Sequence, residues 1–119
     1  MDGVTTVRRY LDAMARGEWD ALAECLTPDV ERLGPYGDDY DGVDAYVPFL
    51  RATIEALDGY VMRVDRVVAA GDALVVAELS ETVTMNGTRR ETPEALVFDL
   101  APDGRIARVA IFLRTSFTP

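Results

Sequence analysis

Between Val4 and Leu57 apolar residues recur every three or four positions, and from Tyr60 onward they recur every second position. The first spacing is that of helices with one buried face, the second that of strands with one buried face. Val4, Val7, Leu11 and Met14 predict a first helix that ends near Gly17, a residue suited to the left-handed conformation of a helix terminus. Trp19, Leu22, Ala23 and Leu26 predict a short second helix stopped by Thr27-Pro28-Asp29, with Trp19 in the core. Val30 to Leu33 reads as a short strand, and Gly34 to Gly42 as a loop rich in turn formers. A third helix fits Asp44 to Leu57, with Asp44 as N-cap, Pro48 in its first turn, and Tyr46, Val47, Leu50, Ile54 and Leu57 as its apolar stripe.

The strand-period half is built around one hairpin. The runs ALVVAELSETVTM and TRRETPEALVFD flank Asn86-Gly87, and both turn residues accept the positive φ of a two-residue type I′ turn. Met85 then faces Thr88, and counting back places Leu79 opposite Glu94 and Glu81 opposite Thr92. One face carries Leu79, Glu81, Val83, Met85, Arg90, Thr92, Glu94, Leu96 and Phe98, mostly apolar but with two carboxylates on a diagonal. Arg90 is placed to neutralise either glutamate in a structural ion pair, and Pro93 marks a possible bulge that would turn Glu94 to the other face. A strand from Tyr60 to Ala69 precedes the hairpin, and one from Arg105 to Arg114 follows it after Pro102-Asp103-Gly104. Three helices followed by an antiparallel meander predict an α+β domain with the helices on one face of the sheet.

Composition narrows the chemistry more than it changes the fold. A chain of 119 residues that is 49% hydrophobic fits a single domain over residues 1–119. There is no histidine, which removes Ser-His-Asp and Cys-His catalysis and zinc sites built on imidazole. The one cysteine, Cys25, sits among Leu22, Ala23 and Leu26 and reads as a small buried hydrophobe. A net charge of −9 repels nucleic acid and anionic membranes, so neither is expected as a partner. No apolar run reaches the roughly 20 residues of a membrane span and no signal peptide is visible, so the expected location is cytoplasmic. Asp38, Asp39 and Asp41 cluster oxygen ligands in the 34–42 loop, but their spacing does not match an EF-hand, and neither metal nor cofactor is expected.

The order of elements, with VRRYLDAMARGEWDALAECLTPDV, YDGVDAYVPFL and VFDLAPDGRIARVAIFLR, resembles the SnoaL-like family of the nuclear transport factor 2-like superfamily. The resemblance implies a cone-shaped α+β barrel: three N-terminal helices packed on a strongly curved, mostly antiparallel sheet, with a pocket between them. It also implies a homodimer formed through the outer face of the sheet. Tyr10 matches the position where ketosteroid isomerases keep an oxyanion-hole tyrosine, but the positions of their base and their protonated acid hold Gly34 and Leu96. The arginine and two aspartates of limonene-type epoxide hydrolases fall at Leu79, Glu81 and Ile111, so only Glu81 keeps a carboxylate.

Glu81, Glu94 and Tyr10 are therefore the candidate catalytic residues. Diagonal neighbours in an antiparallel pair are about 7–8 Å apart at the backbone, so two glutamates there can share a proton. In an apolar cavity one becomes a neutral acid beside a base, a pairing suited to isomerisation, cyclisation, dehydration or epoxide opening of a hydrophobic small molecule. Met14, Leu79 and Leu96 are expected to contact that molecule, as are Val109, Ile111 and Leu113, with Tyr36 as a contact at the rim. The rival expectation is a non-catalytic binding or dimerisation module.

Overall fold

The computed structural model describes residues 2–115, so Met1 and positions 116–119 of the expected single domain lie outside it. Three helices, α1 (Gly3–Arg16), α2 (Trp19–Glu24) and α3 (Val43–Glu55), pack on a sheet of six strands. The strands are β1 (Leu26–Leu33), β2 (Tyr40–Asp41), β3 (Val61–Ala69), β4 (Leu74–Met85), β5 (Thr88–Leu100) and β6 (Ile106–Leu113). Their order across the sheet is β2-β1-β6-β5-β4-β3, which leaves β2 and β3 as edges. The expected barrel is thus an open sheet, and the fold class is α+β as the periodicity indicated.

The helix ends follow from local chemistry. The Asp2 carboxylate accepts the Thr5 backbone N–H at 2.8 Å, capping α1, and Gly17 closes it with φ of 69°. At α3 the cap is Gly42 rather than Asp44, which lies in the first turn where its charge meets the positive end of the helix dipole. Pro48 consequently sits two residues deeper in the helix than expected, on the exposed side.

Two strand expectations are corrected. Leu26 and Thr27-Pro28-Asp29, read as the end and stop of α2, form the first half of β1. Their turn-prone composition is overridden by pairing with β6, and this pairing is parallel, so the sheet is mixed rather than a pure antiparallel meander. Tyr40 and Asp41 leave the expected loop to pair with Arg32 and Glu31 as β2.

The hairpin forms in the register counted from its turn. Met85 pairs with Thr88, Glu81 with Thr92, Ser80 with Pro93 and Leu79 with Glu94, with no shift at Pro93. The pairing is continuous because Asn86 takes φ of 52° and Gly87 φ of 77°, both positive as a type I′ turn requires. Beyond the hairpin, Leu96 pairs with Ile111 and Phe98 with Val109. The core lies between this concave face and α1, and comprises Val7, Leu11, Val75, Phe98, Ile106 and Val109 among others. Trp19 is only partly buried and packs against the edge of that core.

Candidate functional site

Above the core the concave face and the helices enclose a cavity of about 340 Å³. Its walls are α1 through Tyr10 and Met14, α3 through Tyr46, Phe49, Leu50 and Ile54, and the sheet through Leu79, Glu81, Val83, Thr92, Glu94, Leu96, Ile111 and Leu113. Arg32, Pro35, Tyr36 and Asp38 border it from β1 and the loop that follows. Both glutamates therefore face one space, and so do Tyr10, Met14, Leu79, Leu96, Ile111 and Leu113. Tyr36 stands at the mouth, 81% exposed. Val109 is the correction: it is wholly buried beneath the cavity, opposite Phe98, whose ring packs edge-on against Tyr10 at 5.7 Å and closes the floor.

The carboxylates form one unit. Glu81 lies within hydrogen-bonding reach of Glu94, and the Tyr60 hydroxyl donates to Oε2 of Glu81. Burial comes first among the causes that push Glu94 up to about 9; its hydrogen bond and charge repulsion with Glu81 act in the same direction, against a smaller opposing pull from Arg32. Glu94 is thus protonated at neutral pH, beside Glu81, which accepts from Tyr60. Burial and the neighbouring Glu81 charge also raise Tyr60, which stays protonated. Arg90, the expected competitor, is exposed opposite Val83, and no ion pair among the described residues joins it to either glutamate.

A second polar cluster occupies the other side of the cavity. The hydroxyls of Tyr10 and Tyr46 are hydrogen-bonded to each other, and burial pushes both above the usual tyrosine range, so both are neutral donors. Beside them lies Arg32, only 7% exposed. Its Nη1 donates to the Asp38 carbonyl oxygen at 2.6 Å and to Oδ2 of Asp38 at 2.8 Å, and its plane lies against the Phe49 ring with Cζ 4.9 Å from the centroid. Burial pulls Arg32 down, but the hydrogen bond to Asp38 and the Asp38 charge counter it, and the guanidinium stays charged.

Asp38, considered as one of three calcium ligands, is tied to Arg32 instead, and Asp39 accepts the Gly34 N–H at 3.1 Å. This loop also explains why Gly34 cannot take over the base of an isomerase: a Cβ there would overlap the Asp38 carboxylate and carbonyl oxygen. Cys25 is buried, its thiol raised by desolvation and directed at the Ala21 carbonyl, and lies outside the cavity.

Arg32 and Tyr60 are the residues that the linear pattern did not bring out. Both had a signal in strand parity. Arg32 shares a face with the buried Val30, and Tyr60 shares one with Met62, which pairs with Glu81. A charged residue in phase with a buried valine is the mark of a functional or paired arginine.

Known proteins share this architecture. The uncharacterized protein Rv0034 of Mycobacterium tuberculosis is 32% identical over 111 residues, spanning 89% of this chain and 84% of its own. Among solved structures, SalBIII, an epoxide hydrolase/cyclase-like enzyme in pyran ring formation in the polyether salinomycin, superposes with a TM-score of 0.80 at 23% identity, over 93% of this chain and 89% of that one. A limonene-epoxide-hydrolase-like epoxide hydrolase of M. tuberculosis superposes with a TM-score of 0.79 at 20% identity, over 94% and 82%. At these identities the superpositions establish the cone fold common to the superfamily. The family model of the SnoaL-like domain matches residues 7–109, and the chain belongs to that family.

Proposed function

We propose that this protein binds an apolar small molecule in the cone cavity and moves protons on it with Glu81 as base and Glu94 as acid, without a cofactor. The observation that carries the reading is the placement of the pair: two glutamates diagonal to each other on adjacent strands, both facing a cavity walled mostly by aliphatic and aromatic side chains, with burial raising Glu94. Glu81 removes a proton from substrate carbon or from an attacking hydroxyl. Glu94 delivers its proton to the oxygen or carbon that gains charge, and a proton transfer from Glu81 to Glu94 restores both groups. Tyr60 holds Glu81 in place through its hydrogen bond. Tyr10 and Tyr46 are neutral and bonded to each other, which leaves one O–H of the two to donate to an oxyanion on the opposite side.

The structural likeness to an epoxide hydrolase/cyclase-like enzyme and to an epoxide hydrolase supports this class of chemistry. Incubation with 2-tetralone in deuterium oxide tests it, with proton NMR following loss of the carbon-bound protons next to the carbonyl. Wild-type protein is expected to accelerate exchange and Glu81→Gln to abolish the acceleration. Equal rates for the two proteins would reject the acid–base reading. We further propose that two copies associate through the outer face of the sheet, where Val68 and Phe112 are exposed.

A further inference from the structure

The guanidinium of Arg32 is incompletely used by the fold. Its two well-formed hydrogen bonds leave from Nη1 and go to Asp38, while Tyr46 lies against the guanidinium, with its hydroxyl within reach and its ring centroid 5.6 Å from Cζ. Nε is buried without any partner among the described residues, and no bond of Nη2 appears beside it. An arginine kept only to tie down the 34–42 loop would be expected to meet the Asp38 carboxylate with two nitrogens, because the parallel fork is the favoured geometry for that pair. Here Asp38 takes the outer nitrogen alone. The opposite edge, Nε with Nη2, is left over, and that edge presents two parallel N–H groups with the spacing of a planar pair of oxygens.

The surroundings hold the edge ready. The Phe49 ring supports the plane from one side, the Tyr10 and Tyr46 hydroxyls lie next to it, and the residue borders the cavity that also contains Glu81 and Glu94. Apart from Thr53 and Thr92, the remaining lining is apolar and includes Leu50, Ile54, Leu96 and Ile111.

We propose that Arg32 is the specificity-determining residue of the cavity, and that its ligand is an apolar molecule carrying a planar two-oxygen anion, held by the Nε–Nη2 edge while its hydrocarbon body extends toward Glu81 and Glu94. The inference rests on the cavity being a small-molecule site, as proposed above. A carboxylate and the enolate of a 1,3-diketone share this chemistry, and they differ in what they offer the glutamates: the diketone has an acidic carbon beside the gripped oxygens, the carboxylate does not.

Calorimetric titration with four probes of similar bulk tests the proposal: 2-naphthoate, 1-phenyl-1,3-butanedione, methyl 2-naphthoate and 2-ethylnaphthalene. Wild-type protein is expected to bind one of the first two about tenfold or more tighter than either neutral naphthalene. A preference for naphthoate identifies a carboxylate ligand, whereas a preference for the diketone with a red-shifted enolate absorbance identifies a dicarbonyl. In Arg32→Lys, which keeps the charge but has no edge, the preference should collapse. The comparison of probes on wild-type protein stands even if that variant does not fold. Binding of 2-ethylnaphthalene as tightly as both anions would overturn the role of Arg32 while leaving the apolar site intact. Failure of all four to bind would overturn both.

Discussion

Glu94 links structure to solution behaviour most directly at the scale of single residues. Its folded-state pKa is raised from 4.5 to about 9, so the folded protein holds a proton that the unfolded chain gives up. The stability contributed by that proton is complete below about pH 4.5 and is lost as pH rises through about 9. Urea midpoints recorded from pH 5 to pH 9 should fall more steeply for wild type than for Glu94→Gln, and parallel curves would show that Glu94 titrates alike in both states. Tyr60→Phe leaves the partly buried Glu81 oxygen without its donor. We expect it to cost about 1–3 kcal/mol in denaturant unfolding and to slow exchange of 2-tetralone, although the phenyl ring keeps the packing. The two glutamates were legible in the sequence because they break an apolar face whose register a two-residue turn fixes. Tyr60 was not, since its role comes from a strand that joins the sheet without a diagnostic turn. Val109 was misassigned for the converse reason: strand parity gives the face of a residue and is silent about its depth, and Val109 is fully buried in the core beside its strand partner Phe98.

Elements behave according to how many independent signals support them. The β4–β5 hairpin has an Asn-Gly turn, alternating faces and β-branched residues that agree, and it forms in the expected register through Pro93. Asn86→Ala places a residue with no local hydrogen-bonding side chain at φ of 52°, and should lower stability by about 1 kcal/mol. A thermal unfolding curve checks this, and an unchanged midpoint would mean that the turn relaxes to another type. Strand β1 had contradictory signals, because Thr27-Pro28-Asp29 reads as a stop while its partner β6 lies about 80 residues along the chain, beyond the reach of local pattern. That hidden pairing is what brings Arg32 to the cavity. The Arg32–Asp38 contact in turn holds the loop after β1, so Asp38→Ala should increase amide hydrogen exchange over residues 34–39 while leaving the hairpin amides protected.

For the whole molecule, an open sheet has a concave face committed to the cavity and core and a convex face with no covering helix. Val76, Val97 and Ala95 lie on that convex face with the exposed Val68 and Phe112. Sedimentation equilibrium is expected to give a dimer, and Phe112→Glu should shift it toward monomer; a wild-type monomer at high concentration would contradict the proposed association. The overall architecture was readable because four of the six strands follow the change from helical to strand period at Tyr60, with only β1 and β2 before it. Closure of the sheet was not readable, since it depends on whether edge strands β2 and β3 meet, and neither carries a pattern that says so.

The central claim is that one glutamate of the pair is an acid and the other a base at neutral pH. Carbon-13 NMR of the glutamate side-chain carboxyls, followed from pH 3 to pH 10 in wild type and in Glu81→Gln, tests it without knowledge of the substrate. The account predicts that the Glu94 carboxyl titrates near 9 in wild type and moves markedly downward once the Glu81 carboxylate is removed. Titration of Glu94 in the ordinary carboxylate range, unchanged by Glu81→Gln, would contradict it.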